Sequence, residues 1–309
     1  MSEVPGNIPW EVIIVDNCSK DNTAEVSVEE WNKHQPKTNG FKVVRELTPG
    51  LSAARARGIN ESLYEYIIFC DDDNWVQPDY IQKAYDIMEA RLEVAVLGGW
   101  GEPVCEVQPP EWFEDFKTYY ATGPQAVQSA DVTDTKGYVY GACSIFRRSY
   151  LKDLFEIGFV SMLEDRKGNK LTAGGDTELC NALKLAGYRI WYDASLKFKH
   201  FIPKERLTWQ YIEKMHKGYL QGYSVITAYR YVQKAPNRFL YFWTKDIYDK
   251  TVQLGKILYR YRRFLKEGRR YKFNLLVRFK TYTILNVIFN VFKVYGSYRT
   301  IGNSAWYRK

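Results

Sequence analysis

Histidine is scarce in this chain and cysteine carries no pattern. Its 309 residues hold three His and five Cys. Cys18, Cys70, Cys105, Cys143 and Cys180 are scattered without a CxxC spacing. An odd, unspaced set builds neither a disulfide framework nor a zinc site, and a reducing setting is expected. The opening MSEVPGNIPW has no basic stretch followed by an apolar one, so no secretory signal is read from it. A Ser/His/Asp triad, a phosphate-binding P-loop and a GxGxxG fingerprint are all missing, as are internal repeats and low-complexity stretches. What is abundant points elsewhere. Hydrophobic residues make up 46% of the chain, enough for a substantial core, and 25 Tyr with 9 Trp exceed what an ordinary core needs. The net charge of +8 conceals a division: residues 1–234 carry −6 and residues 235–309 carry +14.

The acidic body alternates apolar runs with helical patterns. Residues 10–16 (WEVIIVD) read as a buried strand followed by a helix from about Thr23 to Trp31. Residues 41–44 form a second strand, and Gly50 precedes an Ala-rich helix with Ser52 near its start. Residues 66–70 (YIIFC) form another strand, Pro78 opens a helix running to Ala90, and further strands lie near 94–97 and 138–146. A helix then begins around Asp176 and continues through Ala186. Strand alternating with helix predicts an α/β fold with a doubly wound, mainly parallel sheet. Ligands of such sheets bind beyond the carboxyl ends of the strands, where Asp16 and Asp71-Asp72-Asp73 fall.

Three consecutive carboxylates repel one another unless a cation neutralises them, and Mg²⁺ or Mn²⁺ is the natural one, taking one or two carboxylates together with phosphate oxygens. Asp71 and Asp73, two apart, project to one side of an extended chain, which leaves Asp72 pointing elsewhere. The plainer alternative is an acidic turn, which fits less well directly after a hydrophobic strand. Asp16-Asn17 could read base or ribose groups by hydrogen bonds, or could simply form an Asx turn with a helix cap at Ser19 or Asn22. Arg55 and Arg57, near a helix start, could hold phosphate or be ordinary surface arginines. Asp176, in a Gly-rich approach, could serve as a general base on a hydroxyl, as a helix cap, or as both. His200, after a strand-like run, is a candidate metal ligand.

Taken in order, WEVIIVDNCSKDNT, GLSAARARGI, YEYIIFCDDDNWVQPDYI, YGACSIFRRSYL and GGDTELCNALKLAGYRIWYD resemble glycosyltransferase family 2 across roughly residues 10–230. The resemblance implies a GT-A fold, a nucleotide-diphosphate-sugar donor (UDP- or GDP-linked), a divalent metal and inverting transfer. It places Asp71 at ribose or metal, Asp73 on the metal in the DxD manner, Asp16 and Asn17 by the nucleoside, Arg55 in the donor site, Asp176 as base and His200 near metal or phosphate. The family usually has a strand and helix before WEVIIVD, whereas nine residues precede Trp10 here. Asn17, Ala56 and Gly175 replace residues common in the family, namely Asp, Asn and Glu.

From Arg238 onward, aromatic and basic residues interleave, as in ILYRYRRFLK at 257–266. Such amphipathic helices suit an interface rich in anionic lipid. The twelve apolar-rich residues of 281–292 are too few to span a bilayer as a helix. Packing against the body and binding of single-stranded nucleic acid compete with this reading, but aliphatic residues at helical spacing favour membrane over nucleic acid. The expected organisation is a GT-A-like catalytic domain over 1–234 and a membrane-associating helical region over 235–309. The expected task is metal-dependent transfer to a glycan or lipid-linked glycan in polysaccharide biosynthesis, peripheral on the cytoplasmic face of the cell membrane. The alternative is a non-catalytic, membrane-attached binding protein with a degenerate glycosyltransferase fold. The surroundings of Trp100 and Trp112 are candidate acceptor contacts or structural tryptophans.

Overall fold

A computed structural model describes residues 8–34, 40–163, 174–261 and 270–307. In chain order the elements are β1 (Glu11–Asn17), α1 (Thr23–His34), β2 (Gly40–Glu46), α2 (Leu51–Glu61), β3 (Tyr66–Phe69), β4 (Asn74–Val76), α3 (Tyr80–Glu89), β5 (Val94–Cys105), α4 (Phe113–Phe116), β6 (Ala130–Asp131), β7 (Ser144–Arg147), α5 (Arg148–Glu156), α6 (Gly175–Leu185), β8 (Arg189–Ile202), α7 (Trp209–Lys234), α8 (Phe239–Tyr261), α9 (Arg270–Phe289) and α10 (Val291–Gly302). Short 3₁₀ turns occupy Lys117–Tyr120 and Lys204–Arg206.

The α/β class and the helical C-terminal region are as expected, and the strand pairing refines them. A six-stranded sheet runs β3-β7-β5-β8-β4, with β6 also on β8, while β1 and β2 pair in a sheet of their own. Pairing is parallel for β1–β2 and β5–β8, and antiparallel for β3–β7, β5–β7, β4–β8 and β6–β8. The sheet is therefore mixed rather than mainly parallel. Buried apolar runs do not reveal the direction of a strand's partner, because both faces are covered either way. Among the described residues no strand precedes β1, and β2 is the strand that pairs with it.

The long parallel pair β5–β8 forms the spine. Its backbones approach other chain segments so closely that glycine is required: a Cβ at Gly98 would stand 2.4 Å from Val139 Cβ, and one at Gly101 would stand 2.4 Å from the Ala121 carbonyl. Helix α2 bridges the two sheets. Gly58 faces Val15 of β1, while Ile59 is buried in the core that Ile67 and Phe69 of β3 flank.

The C-terminal helices share that core. Val294, Tyr298 and Ile301 of α10 and the following Trp306 are buried with Val96, Phe146 and Tyr229. Helix α9 buries Leu275 and Phe279 against Phe113, Phe116 and Ile212. His216 of α7 stacks on Phe279 at a 3.8 Å centroid distance and 7° between planes. The expected boundary at residue 234 falls between α7 and α8, yet α9 and α10 pack on the body through apolar side chains. Large apolar groups nevertheless remain outside: Phe289 and Phe292 are 77% and 87% exposed. Arg262 to Lys266 of the basic aromatic run lie outside the described residues. No single described helix is long and apolar enough to cross a membrane; Lys272–Phe289 and Val291–Gly302 together meet the length and composition criteria as a pair bent by 68°.

Candidate functional site

The Asp71-Asp72-Asp73 segment forms the tight turn between β3 and β4. Asn74 N–H donates to the Asp71 carbonyl at 3.1 Å, and Phe201 N–H donates to the Asp73 carbonyl at 2.8 Å, so the turn is fastened to β8. Register places Asn74 opposite His200. This pairing, invisible in the sequence, brings His200 Nε2 within 3.4 Å of Asp73 Oδ2, while Arg206 Nη1 donates to the same oxygen at 2.9 Å. Asn74 Nδ2 donates to the other oxygen, Oδ1, at 2.8 Å. Burial alone would raise the Asp73 pKa, but His200, by hydrogen bond and charge, and then Arg206 outweigh it and pull the carboxyl down to about 2. Asp73 is thus ionised and half-buried, whereas Asp71 and Asp72 are exposed.

Asp176 occupies the first turn of α6, after Gly174 at φ 128°. Its carboxylate accepts from Arg55 Nη1, and the Arg55 guanidinium lies over the Phe69 ring at 5.3 Å. The same carboxylate lies against the backbone of Gly141, where a Cβ would come within 2.0 Å of Oδ2. Three elements distant in sequence thereby meet: α2 through Arg55, the end of β3 through Phe69, and the approach to β7 through Gly141. Arg55 is therefore partnered with the candidate base. Arg57, its neighbour on α2, pairs with Glu61 at 2.9 Å on the same helix.

Asp16 and Asn17 hold loops. Ser19, first through its side chain and then through its backbone N–H at 3.0 Å from Oδ1, keeps the Asp16 carboxyl below the usual carboxylate range. Asn17 Nδ2 donates to the Thr48 carbonyl at 2.7 Å, and its Oδ1 accepts from Gly50 N–H at 2.7 Å, tying the end of β1 to the start of α2. Trp112 packs against Trp209 at a 4.5 Å centroid distance, tilted by 30°, inside an aromatic cluster, and the Trp100 ring centroid lies 5.4 Å from Lys197 Nζ.

Among the described residues no three His, Cys, Asp or Glu side chains form a ready-made cation cage. A divalent ion bound to a diphosphate does not need one, since one or two carboxylates suffice. The donor set fits such a half-site. Asp73 is ionised and already faces positive charge, Asp71 lies on the same turn, and His200 keeps a buried Nδ1 without a hydrogen-bond partner among the described residues. Sequence reasoning missed Arg206. It sits on a single 3₁₀ turn in a mixed Lys-Glu-Arg run, and only its spacing of six from His200 could have drawn notice.

Residues 6–155 match the family model described as Glycosyl transferase family 2. EpsH of Bacillus subtilis (strain 168), named as a glycosyltransferase, is 38% identical over 73 residues, which is 24% of this chain and 20% of that protein. Glycosyltransferase GlyA of Streptococcus pneumoniae serotype 4 is 30% identical over 87 residues, or 28% of this chain and 12% of that protein. The matches thus span a fifth or less of these relatives' length. Residues 1–349 of TarS from S. aureus superpose with a TM-score of 0.49 at 17% identity, covering 97% of this chain and 84% of that one. Over residues 6–155, just under half of its length, the chain is thus similar to glycosyltransferase family 2.

Proposed function

We propose that this protein transfers a sugar from a UDP- or GDP-linked donor to a hydroxyl of a glycan or lipid-linked glycan, with inversion, using Mg²⁺ or Mn²⁺. The observation that carries the reading is the Asp73 carboxylate, which lies beyond a strand end, remains ionised although half-buried, and is faced by His200 and Arg206. In this role Asp71 and Asp73 would hold the ion, with His200 beside it, and Arg206 would supply a guanidinium for diphosphate oxygens. The bound ion would offset the charge of the departing diphosphate. Asp176 takes the proton from the acceptor hydroxyl as its oxygen attacks the anomeric carbon. Arg55, braced on Phe69, keeps the Asp176 carboxylate aimed at that hydroxyl. Asp16 and Asn17 shape the nucleoside side through the loops they fasten.

We further propose attachment to an anionic membrane surface, on the cytoplasmic face, through the basic region over 235–309. Exposed Phe289 and Phe292 alongside its net charge of +14 support this. A non-catalytic binding protein is the rival reading, favoured by the separation of β1–β2 from the main sheet. Melting temperature with UDP or GDP, with and without Mn²⁺, separates the two. A rise that requires nucleotide and metal together is expected; no metal-dependent rise with either nucleotide would overturn the enzyme reading.

A further inference from the structure

Two of the five cysteines come together at the site, and nothing in the proposed transfer uses them. Cys70 follows the last residue of β3 and Cys143 precedes the first residue of β7. Phe69 pairs with Ser144 at the end of that antiparallel ladder, so Cys70 and Cys143 are the next residues on the two chains. The Sγ atoms are 4.0 Å apart. The two sulfurs are in contact, and a disulfide requires that this separation fall to about 2.05 Å.

The two thiols differ in a way that suits sequential chemistry. Cys70 is exposed and Cys143 is buried. The backbone of Cys143 is pinned, since the buried Tyr80 hydroxyl donates to its carbonyl at 2.6 Å and Ser144 N–H donates to the Gly141 carbonyl at 3.2 Å. Cys70 is thus the partner that an oxidant meets and that moves.

We propose that Cys70 and Cys143 are a redox modification site, converted reversibly to a disulfide by a peroxide. Cys70 sulfur attacks the peroxide O–O bond, giving a sulfenic acid and, from hydrogen peroxide, one water. Cys143 sulfur then displaces the sulfenic hydroxyl, forming the S–S bond and releasing a second water. The thiols together lose two protons and two electrons, and the peroxide is the species reduced. A dithiol reductant restores both thiols by exchange.

The pair lies between the two halves of the site. Cys70 Sγ now donates to the carbonyls of Asp71 and Asn74, at 3.6 and 3.7 Å, and so helps set the turn that presents Asp73. Cys143 is two residues from Gly141, which touches the Asp176 carboxylate. Forming the bond removes both thiol donors and draws the end of β3 toward β7, which weakens donor binding at the turn. That consequence rests on the proposed function, whereas the bond itself does not.

The test treats the full chain with hydrogen peroxide, alkylates the remaining thiols under denaturing conditions and maps the peptides by mass spectrometry. A Cys70–Cys143 cross-link is expected, lost with dithiothreitol and lacking in Cys70→Ser and Cys143→Ser. Unchanged thiols, a cross-link to another cysteine, or Cys70 ending as sulfinic acid would overturn the proposal. In parallel, the Mn²⁺-dependent melting rise with UDP or GDP is compared between oxidised and reduced protein, and a smaller rise after oxidation is expected. An equal rise despite a formed cross-link would overturn the effect on the turn. A cross-link in protein whose reduced form shows no rise with either nucleotide would leave the disulfide standing and reject the nucleotide reading alone.

Discussion

At the residue scale, the candidate site rests on two carboxylates held in different ways. Asp73 is met by the His200 imidazole and the Arg206 guanidinium, while Asp176 is fixed by one guanidinium and a glycine backbone. Replacing Asp176 with Asn keeps the size and loses the base. We expect transfer to fall by about 10² or more with the thermal melt little changed, measured as nucleoside diphosphate released with acceptor present. A transferase as fast as the original would remove Asp176 from the mechanism. Gly141→Ala pushes a methyl group into the same carboxylate, so activity and stability should fall together. Asp73, Asp176 and Arg55 were legible because each stands beside a strand end or helix start flanked by recognisable neighbours. Arg206 was not, because its position depends on the β4–β8 register, which folds a turn more than a hundred residues distant onto it.

At the scale of elements, the contact of α9 with the body carries a pH dependence. Burial lowers the pKa of His216 from 6.5 to about 4, and its ring lies flat on Phe279 with Tyr119 Oη 3.2 Å from Nδ1. Its folded-state pKa lies below the unfolded one, so folding favours the neutral ring. The associated stability is present above about pH 6.5 and is lost as the pH falls through 4. Chemical denaturation at several pH values should show this fall, and His216→Phe should flatten it; an unchanged slope in that variant would assign the acid sensitivity to other groups. Helix α10 makes a second prediction. Ile301 is fully buried in the sheet's own core, so Ile301→Ala should cost about 2 to 5 kcal/mol in global stability. A loss under 1 kcal/mol would mean that α10 melts separately from the body. The sequence revealed β1, β3 and α6 to within a residue, the middle of β2 and the start of α2, since apolar runs and Gly punctuation mark them. It hid β4, three residues inside what reads as an acidic turn, and the antiparallel partners of β3 and β5.

For the whole molecule, charge and apolar exposure coincide at the C-terminal end. In the proposed attachment an anionic surface would repel the acidic body and draw the basic region, orienting the protein on contact. In flotation with vesicles containing phosphatidylserine, the protein should rise with the lipid at low salt, and Phe289→Asp with Phe292→Asp should leave it in the dense fractions. Failure of the unaltered protein to float, together with tight binding to single-stranded nucleic acid, would reverse the assignment. The charge division that prompted this idea was visible in composition alone, but how far α9 and α10 also serve the core was not. Their buried and exposed aromatics look alike until the helices are docked.

Calorimetric titration of UDP and GDP, with and without Mn²⁺, into the wild-type protein, Asp73→Asn and Asp72→Asn tests the central claim most directly. Binding of at least one nucleotide that requires Mn²⁺, is lost in Asp73→Asn and survives in Asp72→Asn is the predicted result. Binding indifferent to the metal, or equally strong in Asp73→Asn, would contradict it.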